Sequence, residues 1–216
     1  MNKLNSSDLE GLFAKIKDVM VENKENLFKL DSAIGDGDLG ITMSSGFSKV
    51  YEMVSVLEEK DTGDIGRVLI KVGMTLAETV PSTLGTLMAT GFMRAGKAVK
   101  GKNEVNLSDS VLIAYAFVEG IMERGKTEPR EKTIIDSLYP ALQALKLASE
   151  DGIDLKEGLK KAYEAAKDGA EATKEMLPKH GRAVWYGEKS IGKKDPGAVA
   201  GMLLIKAFYE YLESKN

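Results

Sequence analysis

Apolar residues recur every three or four positions along most of this chain. Leu9, Leu12, Phe13, Ile16, Val19 and Met20 share one helical face, and Ser7 or Asp8 stands where a cap would open it. A second helix is predicted from near Gly40, carrying Met43, Phe47, Val50, Tyr51 and Val54. Further patterns run over 65–79, over about 82–100, and over about 108–123. Another begins near Glu131 with Ile134, Ile135, Leu138, Leu142 and Leu145, and the next covers 155–176 with alanines inward. The last spans 197–213. Asp195 caps it, and Pro196 takes the first helical position, where its missing N–H costs nothing. Alternating strand patterns are almost absent. The expected fold is all-α, with eight helices whose short connections make neighbours mostly antiparallel.

Composition narrows the class. The 216 residues suit a single domain over 1–216 with a sizeable core. Net charge is −3 with mixed signs, which gives nucleic acid no electrostatic footprint. There is no cysteine, and the single histidine, His180, rules against a multi-histidine zinc site. The polar start over residues 1–7 lacks a signal-peptide core, and no apolar run is long enough to span a bilayer. A cytoplasmic protein is expected.

The densest chemistry lies in Asp31-Ser-Ala-Ile-Gly-Asp36-Gly-Asp38-Leu-Gly40. Three carboxylates crowd into this stretch among three glycines. Like charges this close raise one another's pKa unless a cation sits among them. Carboxylate oxygens suit hard divalent ions, and glycine lets the backbone approach a ligand. Asp31, Asp36 and Asp38 therefore read as a Mg2+ site on a tight loop, with bound phosphate implied. The plain alternative is a solvated acidic turn.

Gly120-Ile-Met-Glu-Arg-Gly125-Lys126-Thr127 matches the Walker A pattern letter for letter. A P-loop needs a buried strand before it and a helix opening at the lysine. Residues 111–118 are apolar enough for a strand. However, Ser108 and Asp109 read as a helix start, and Pro129 argues against a helix running on from Lys126. The expectation is that this is not a P-loop.

Nearer the C-terminus, Gly181-Arg182-Ala183 precedes Trp185-Tyr186, then Gly187 and Gly192, then Asp195-Pro196-Gly197-Ala198. A long glycine-punctuated connection within a helical domain is more often functional than idle. Trp185 reads either as a base-stacking residue or as packing under the loop. His180 reads as a loop residue rather than a catalytic base. Met74, Met88, Met93 and Met202 read as core filler.

On these motifs the chain resembles the nucleotide-binding L subunits of dihydroxyacetone kinases, the DhaL or DAK2-domain family. The matching stretches are D-x-x-I-G-D-G-D-x-G at Asp31 to Gly40 and Val72-Gly73-Met74-Thr75-Leu76. Next come Gly125-Lys126-Thr127-Glu128-Pro129 with Lys132, Thr133 and Asp136. The last are Gly181-Arg182-Ala183 and Gly192 with Asp195-Pro196-Gly197-Ala198. They follow family order over nearly the whole chain. The resemblance implies an eight-helix antiparallel up-and-down barrel with ADP or ATP bound at one end through two Mg2+ ions. It assigns Asp31, Asp36 and Asp38 to the metal and to catalysis together with Arg182. It assigns Leu39, Gly40, Ile41, Thr42, Arg182, Asp195, Pro196 and Gly197 to the nucleotide. Helix-N-terminal logic adds Ser82 and Thr83. It also implies a partner subunit that carries dihydroxyacetone, and as phosphoryl donor either ATP or a phosphotransferase-system protein. A homodimer is left open.

Charge agrees with that reading. ATP carries roughly −4 and three aspartates about −3, against about +4 from two Mg2+ ions, so further cations and amide dipoles are needed. Arg182 and the N-terminus of the helix near Gly40 are the candidates. Two departures stand out. Leu39 occupies a position where the family pattern has histidine, and the turn Pro81-Ser82-Thr83-Leu84-Gly85-Thr86 is shorter than the family's. They keep two alternatives open: a kinase subunit for another short ketose or polyol, and a non-catalytic Mg-nucleotide-binding regulator.

Overall fold

A computed structural model describes residues 3–57 and 63–215. Met1 and Asn2, in the polar start, lie outside the described residues. The helices are α1 Leu9–Glu22, α2 Lys24–Ile34, α3 Leu39–Ser55, α4 Ile65–Thr79, α5 Thr83–Ala98, α6 Leu107–Gly125, α7 Ile135–Glu150, α8 Leu155–Ala172 and α9 Pro196–Ser214. Short 3-10 segments cover Ser6–Asp8, Thr173–Glu175 and Arg182–Ser190. Two short strands, β1 Lys3–Asn5 and β2 Glu104–Asn106, pair antiparallel with Leu4 opposite Val105.

The helices close a ring. α1 packs on α3, α3 on α4, and each later helix on the next as far as α9, which returns to α1. Among the described residues α2 stands outside this ring, packed chiefly on α3 and less on α9. Neighbours run antiparallel: Gly66 and Gly73 of α4 lie against Gly96 and Met93 of α5, and Gly158 and Gly169 of α8 against Ala148 and Asp136 of α7. This is the eight-helix barrel that the resemblance implies. Its interior is apolar, with Phe92 edge-on to both Phe47 and Phe117 at centroid distances of 6.3 and 4.9 Å. A cavity of about 110 Å³ inside the ring is lined by residues such as Leu12, Phe92, Phe117, Leu142 and Phe208.

The alternation has one consequence for function. Helices α3, α5, α7 and α9 all begin at the same end of the ring. The strand pair, which leads into α1 and α6, lies at the other.

Several local expectations need correction. A capping box of Asn5 and Asp8 precedes α1, in place of a simple cap at Ser7 or Asp8. A second box, Asn106 with Asp109, opens α6 before Ser108. The 155–176 pattern breaks at Ala172 into a 3-10 turn. The helix expected near Glu131 begins at Ile135, because Arg130 and Lys132 adopt left-handed backbone that a helix excludes. Met88 is buried, but Met74 faces solvent. Among the described residues, no helix is long and apolar enough to cross a membrane.

Candidate functional site

The end of the ring where α3, α5, α7 and α9 begin holds a cleft of about 430 Å³. Leu39 opens α3, Ser82 and Thr83 open α5, Ile134 precedes α7, and Pro196 and Gly197 open α9; all six line the cleft. Each helix N-terminus carries roughly half a positive charge from its aligned peptides. Four of them facing one hollow make it attractive to anions.

Into this field the chain brings three aspartates. Asp31 sits on the buried face of α2 with Leu27 and Ile34. Its Oδ2 accepts the N–H groups of Asp38 at 3.0 Å and Leu39 at 3.1 Å, so the carboxylate ties the end of α2 to the start of α3. Two glycines make that crossing possible. Gly37 has φ +77°, in the left-handed region, and a Cβ on Gly40 would stand 2.1 Å from the Lys24 carbonyl. One oxygen each from Asp31, Asp36 and Asp38 then lies within 4.8 Å of the others. Burial, and next the charges of Asp36 and Asp31, raise the Asp38 pKa, with Arg182 acting the other way. A cation would relieve this repulsion. The donors are all carboxylate oxygens, the set that hard divalent ions take. The arginine reaches the group directly, Nη2 of Arg182 lying 2.8 Å from Oδ2 of Asp36.

Arg182 heads the 3-10 segment between α8 and α9, and a second loop, 126–134, holds that segment. Lys126, Arg130 and Lys132 all have positive φ there. Glu131 gathers the N–H of Glu128 at 2.8 Å, the Thr127 hydroxyl at 3.2 Å, Lys179 at 3.0 Å and His180 Nε2 at 2.7 Å. The Glu128 N–H first, and then His180 and Lys179, pull its pKa down to about 2. Lys132 is buried and donates to the carbonyls of Thr173, Ser190 and Lys193. Asp195 caps α9, its Oδ1 accepting the Ala198 N–H at 2.6 Å while its own N–H donates to the Thr173 hydroxyl at 2.9 Å. Burial pushes the Asp195 carboxyl up to about 7, and the charges of Asp136 and Asp31 add to it.

The cleft brings together Asp31, Asp36, Asp38, Leu39, Ser82, Thr83, Arg182, Asp195, Pro196 and Gly197. Gly40, Ile41 and Thr42 do not line it; they continue the first turn of α3, and Ile41 faces solvent. The N–H of Leu39, a residue the resemblance assigns to the nucleotide, is bonded to Asp31, as is the N–H of Asp38. Lys132, Thr133, Ile134 and His180 line the cleft without having been singled out for it. Trp185 does not pack under its loop, for it is 88% exposed. The Walker-like stretch is no P-loop: 120–125 closes α6, and Lys126 caps it at φ 51°.

Comparison with known proteins gives the family. A profile of the DAK2 domain matches residues 33–210. The "PEP-dependent dihydroxyacetone kinase, ADP-binding subunit DhaL" of Escherichia coli (strain K12) is 34% identical over 94% of this chain and 95% of its own. The "PEP-dependent dihydroxyacetone kinase 1, ADP-binding subunit DhaL" of Listeria innocua is 38% identical over 88% of each. The crystal structure of the C. freundii dihydroxyacetone kinase in complex with AMP-PNP and Mg2+ shares the fold, with a TM-score of 0.70 and 24% identity over 97% of this chain. This chain spans only 34% of that one. The profile match and the two near full-length relatives establish that the chain belongs to the DAK2-domain family.

Proposed function

We propose that the chain is the nucleotide-binding subunit of a dihydroxyacetone kinase. In this reading one domain over 1–216 holds ADP or ATP with Mg2+ in the cleft. It passes a phosphoryl group to dihydroxyacetone carried on a separate subunit. The observation that carries the reading is the carboxylate trio beneath four converging helix N-termini. A cluster of three anions in an anion-attracting hollow makes sense when a cation and a polyanion occupy it together.

The three carboxylates fit Mg2+ by donor type and spacing. Asp31 would hold it with a carboxylate already oriented by two backbone N–H groups. Asp36 and Asp38 would complete the protein's share from the loop. Mg2+, when bound, neutralises charge on the phosphate oxygens during transfer. Two ions are part of the reading, because the nucleotide and three aspartates carry more charge than one ion offsets. Arg182 adds a cation at the rim, and residues 82–83 and 195–197 present helix N-termini. Gly40 lets α3 pack closely on α2, and the Thr42 N–H donates to the Asp38 carbonyl at 2.9 Å, while Ile41 stands at the solvent-facing side of this turn. Positioning and electrostatics of this kind make up most of phosphoryl-transfer catalysis. His180 is bonded to Glu131, Asp195 caps α9 and the three loop aspartates are given to the metal, so in this reading the acceptor hydroxyl is activated on the partner subunit. The name of a Lactococcus lactis relative, "PTS-dependent dihydroxyacetone kinase, ADP-binding subunit DhaL", 34% identical over 91% of this chain, supports a phosphotransferase-system protein as donor, with ATP as the other source. A cytoplasmic location goes with this chemistry.

A second reading, a kinase subunit for another short ketose, rests on Leu39, which lines the cleft where the resembled pattern has histidine. The primary experiment is calorimetry of ADP and ATP with and without Mg2+. Turnover assays follow, with a dihydroxyacetone-binding subunit and a panel of three- and four-carbon ketoses. Mg-dependent binding with transfer to dihydroxyacetone is the expected result. Transfer to a four-carbon ketose alone would favour the second reading. Tight binding with no transfer to any acceptor would leave a regulator.

A further inference from the structure

Lys132 is the least expected residue at the cleft. It lies in a loop, yet it is 1% exposed. Its Nζ donates to three main-chain carbonyls, Thr173 at 2.7 Å, Ser190 at 3.0 Å and Lys193 at 2.8 Å. An ammonium has three N–H donors, so this set is complete, and it requires the charged form. Burial alone would favour the neutral amine; Asp195 and Asp136 act against it.

The position of the three acceptors matters more than their number. Thr173 ends the path from α8, Ser190 closes the 3-10 segment that begins with Arg182, and Lys193 leads to Asp195. One side chain thus clamps the entry and the exit of the strap that carries Arg182. The anchor is itself held. Asp136 of α7 accepts the N–H groups of Arg130 and Thr133, which bracket Glu131 and Lys132, and Lys132 itself has left-handed backbone at φ 59°. A non-glycine residue in that region is strained, and the strain persists only where surrounding contacts over-determine it. Thr173 closes the circle, since its hydroxyl receives the Asp195 N–H while its carbonyl receives Lys132.

We propose that Lys132 is a positioning residue for nucleotide binding: by clamping both ends of the strap, it sets Arg182 and the turn at 195–197 in register with Asp31, Asp36 and Asp38. The role rests on the nucleotide reading above. Lys132 touches neither metal nor phosphate in it. It acts through the strap, and it fixes the cationic side of the cleft before any ligand arrives.

The only tryptophan of the chain, Trp185, lies within the strap and reports on it. The full-length protein, Lys132→Met and Lys132→Gln would be compared by thermal unfolding, by Trp185 fluorescence anisotropy, and by calorimetry with Mg2+ alone and with Mg-ADP. The expected Lys132→Met protein unfolds cooperatively and binds Mg2+ alone at least as tightly as the wild type does, since a loosened strap leaves Arg182 a weaker competitor for Asp36. Its Trp185 anisotropy falls, and its Mg-ADP affinity drops roughly tenfold or more, the scale that misplacing a binding group produces. Lys132→Gln, which keeps two donors, falls between. If Lys132→Met does not fold, the glutamine variant carries the same two readouts. In the wild type, the amides of Gly192 and Asp195 must exchange slowly without ligand; fast exchange overturns the clamp. A wild type that binds no Mg-ADP overturns the nucleotide reading and this role with it. A wild type that binds, beside a Lys132→Met protein that binds equally well, overturns this role alone. So does lost affinity with Trp185 anisotropy unchanged.

Discussion

The guanidinium of Arg182 lies 2.8 Å from the carboxylate of Asp36, one of the three aspartates gathered within 4.8 Å. In this arrangement the arginine stands in for a cation among three anions. Both partners are partly open to solvent, so the pair is weak by itself and can exchange. A metal ion and Arg182 therefore compete for Asp36, while a phosphate would recruit both. Arg182→Gln is expected to move two affinities in opposite directions. Mg2+ alone binds several-fold more tightly, because a competing charge is gone. Mg-ADP binds more weakly, because a phosphate partner is lost. Separate calorimetric titrations with MgCl2 and with ADP check this. Weaker binding in both would mean that Arg182 orders the loop rather than competing within it.

Asp36→Asn removes one anion from the trio but keeps the shape of the side chain. ADP binding in the presence of Mg2+ is expected to weaken roughly a hundredfold and to lose its dependence on Mg2+. Helical circular dichroism is expected to stay unchanged, since Asp36 supports no element of the ring. Binding indifferent to Mg2+ in both proteins would mean that the trio is only an acidic turn.

Much of this architecture is legible in the sequence, and the exceptions share a cause. The periodic apolar faces of α3, α4 and α9 are continuous, and Asp195-Pro196 marks its helix start plainly. α2 is not legible in the sequence, because its buried face reads Leu27, Asp31, Ile34. The central position of that face is a carboxylate, so the residue that makes the site also breaks the pattern that would reveal the helix. The strands Lys3–Asn5 and Glu104–Asn106 are too short for alternation to register. Lys132 is harder still, since a lysine's burial depends on three carbonyls that come together only in the folded ring. The aspartates and Arg182 were legible because their chemistry is local and dense. The clamp was not, because it joins segments about forty to sixty residues apart.

Gly40 links fold to site. A methyl there would meet the Lys24 carbonyl at 2.1 Å, a clash with backbone that no side-chain rotation relieves. Gly40→Ala must spread α2 from α3 at the point where Asp31 bonds to Asp38 and Leu39. Overpacking of this kind costs about 1–3 kcal/mol, which in a chain of this size lowers Tm by roughly 3–10 °C. Mg2+ affinity should fall with it, since the carboxylates move apart. Differential scanning calorimetry beside a metal titration tests the coupling. A protein destabilised to this degree with Mg2+ affinity intact would separate the crossing from the site.

The last prediction concerns pH. Burial holds the Asp195 carboxyl up at about 7, against an ordinary value of 3.8. The folded protein therefore keeps a proton that the unfolded chain gives up above about pH 4. The sign follows: this contribution to stability is complete below the ordinary pKa, shrinks as pH rises toward 7, and is gone above it. Glu131 and Glu171, both held at about 2, have the opposite sign, and their contribution is lost only as pH falls below about 4.5. The two windows do not overlap between pH 5 and 8. Asp195→Asn keeps a side-chain oxygen to cap α9 and carries no charge at any pH. Relative to wild type, the variant should therefore gain stability as pH rises, by about 2 kcal/mol between pH 5 and 7, and level off above. Urea unfolding of both proteins at several pH values, with chelator present to exclude metal, measures that difference directly. A difference that stays flat from pH 5 to 8 would mean that Asp195 is ionised throughout, and that the nearby ammonium of Lys132 offsets its burial fully.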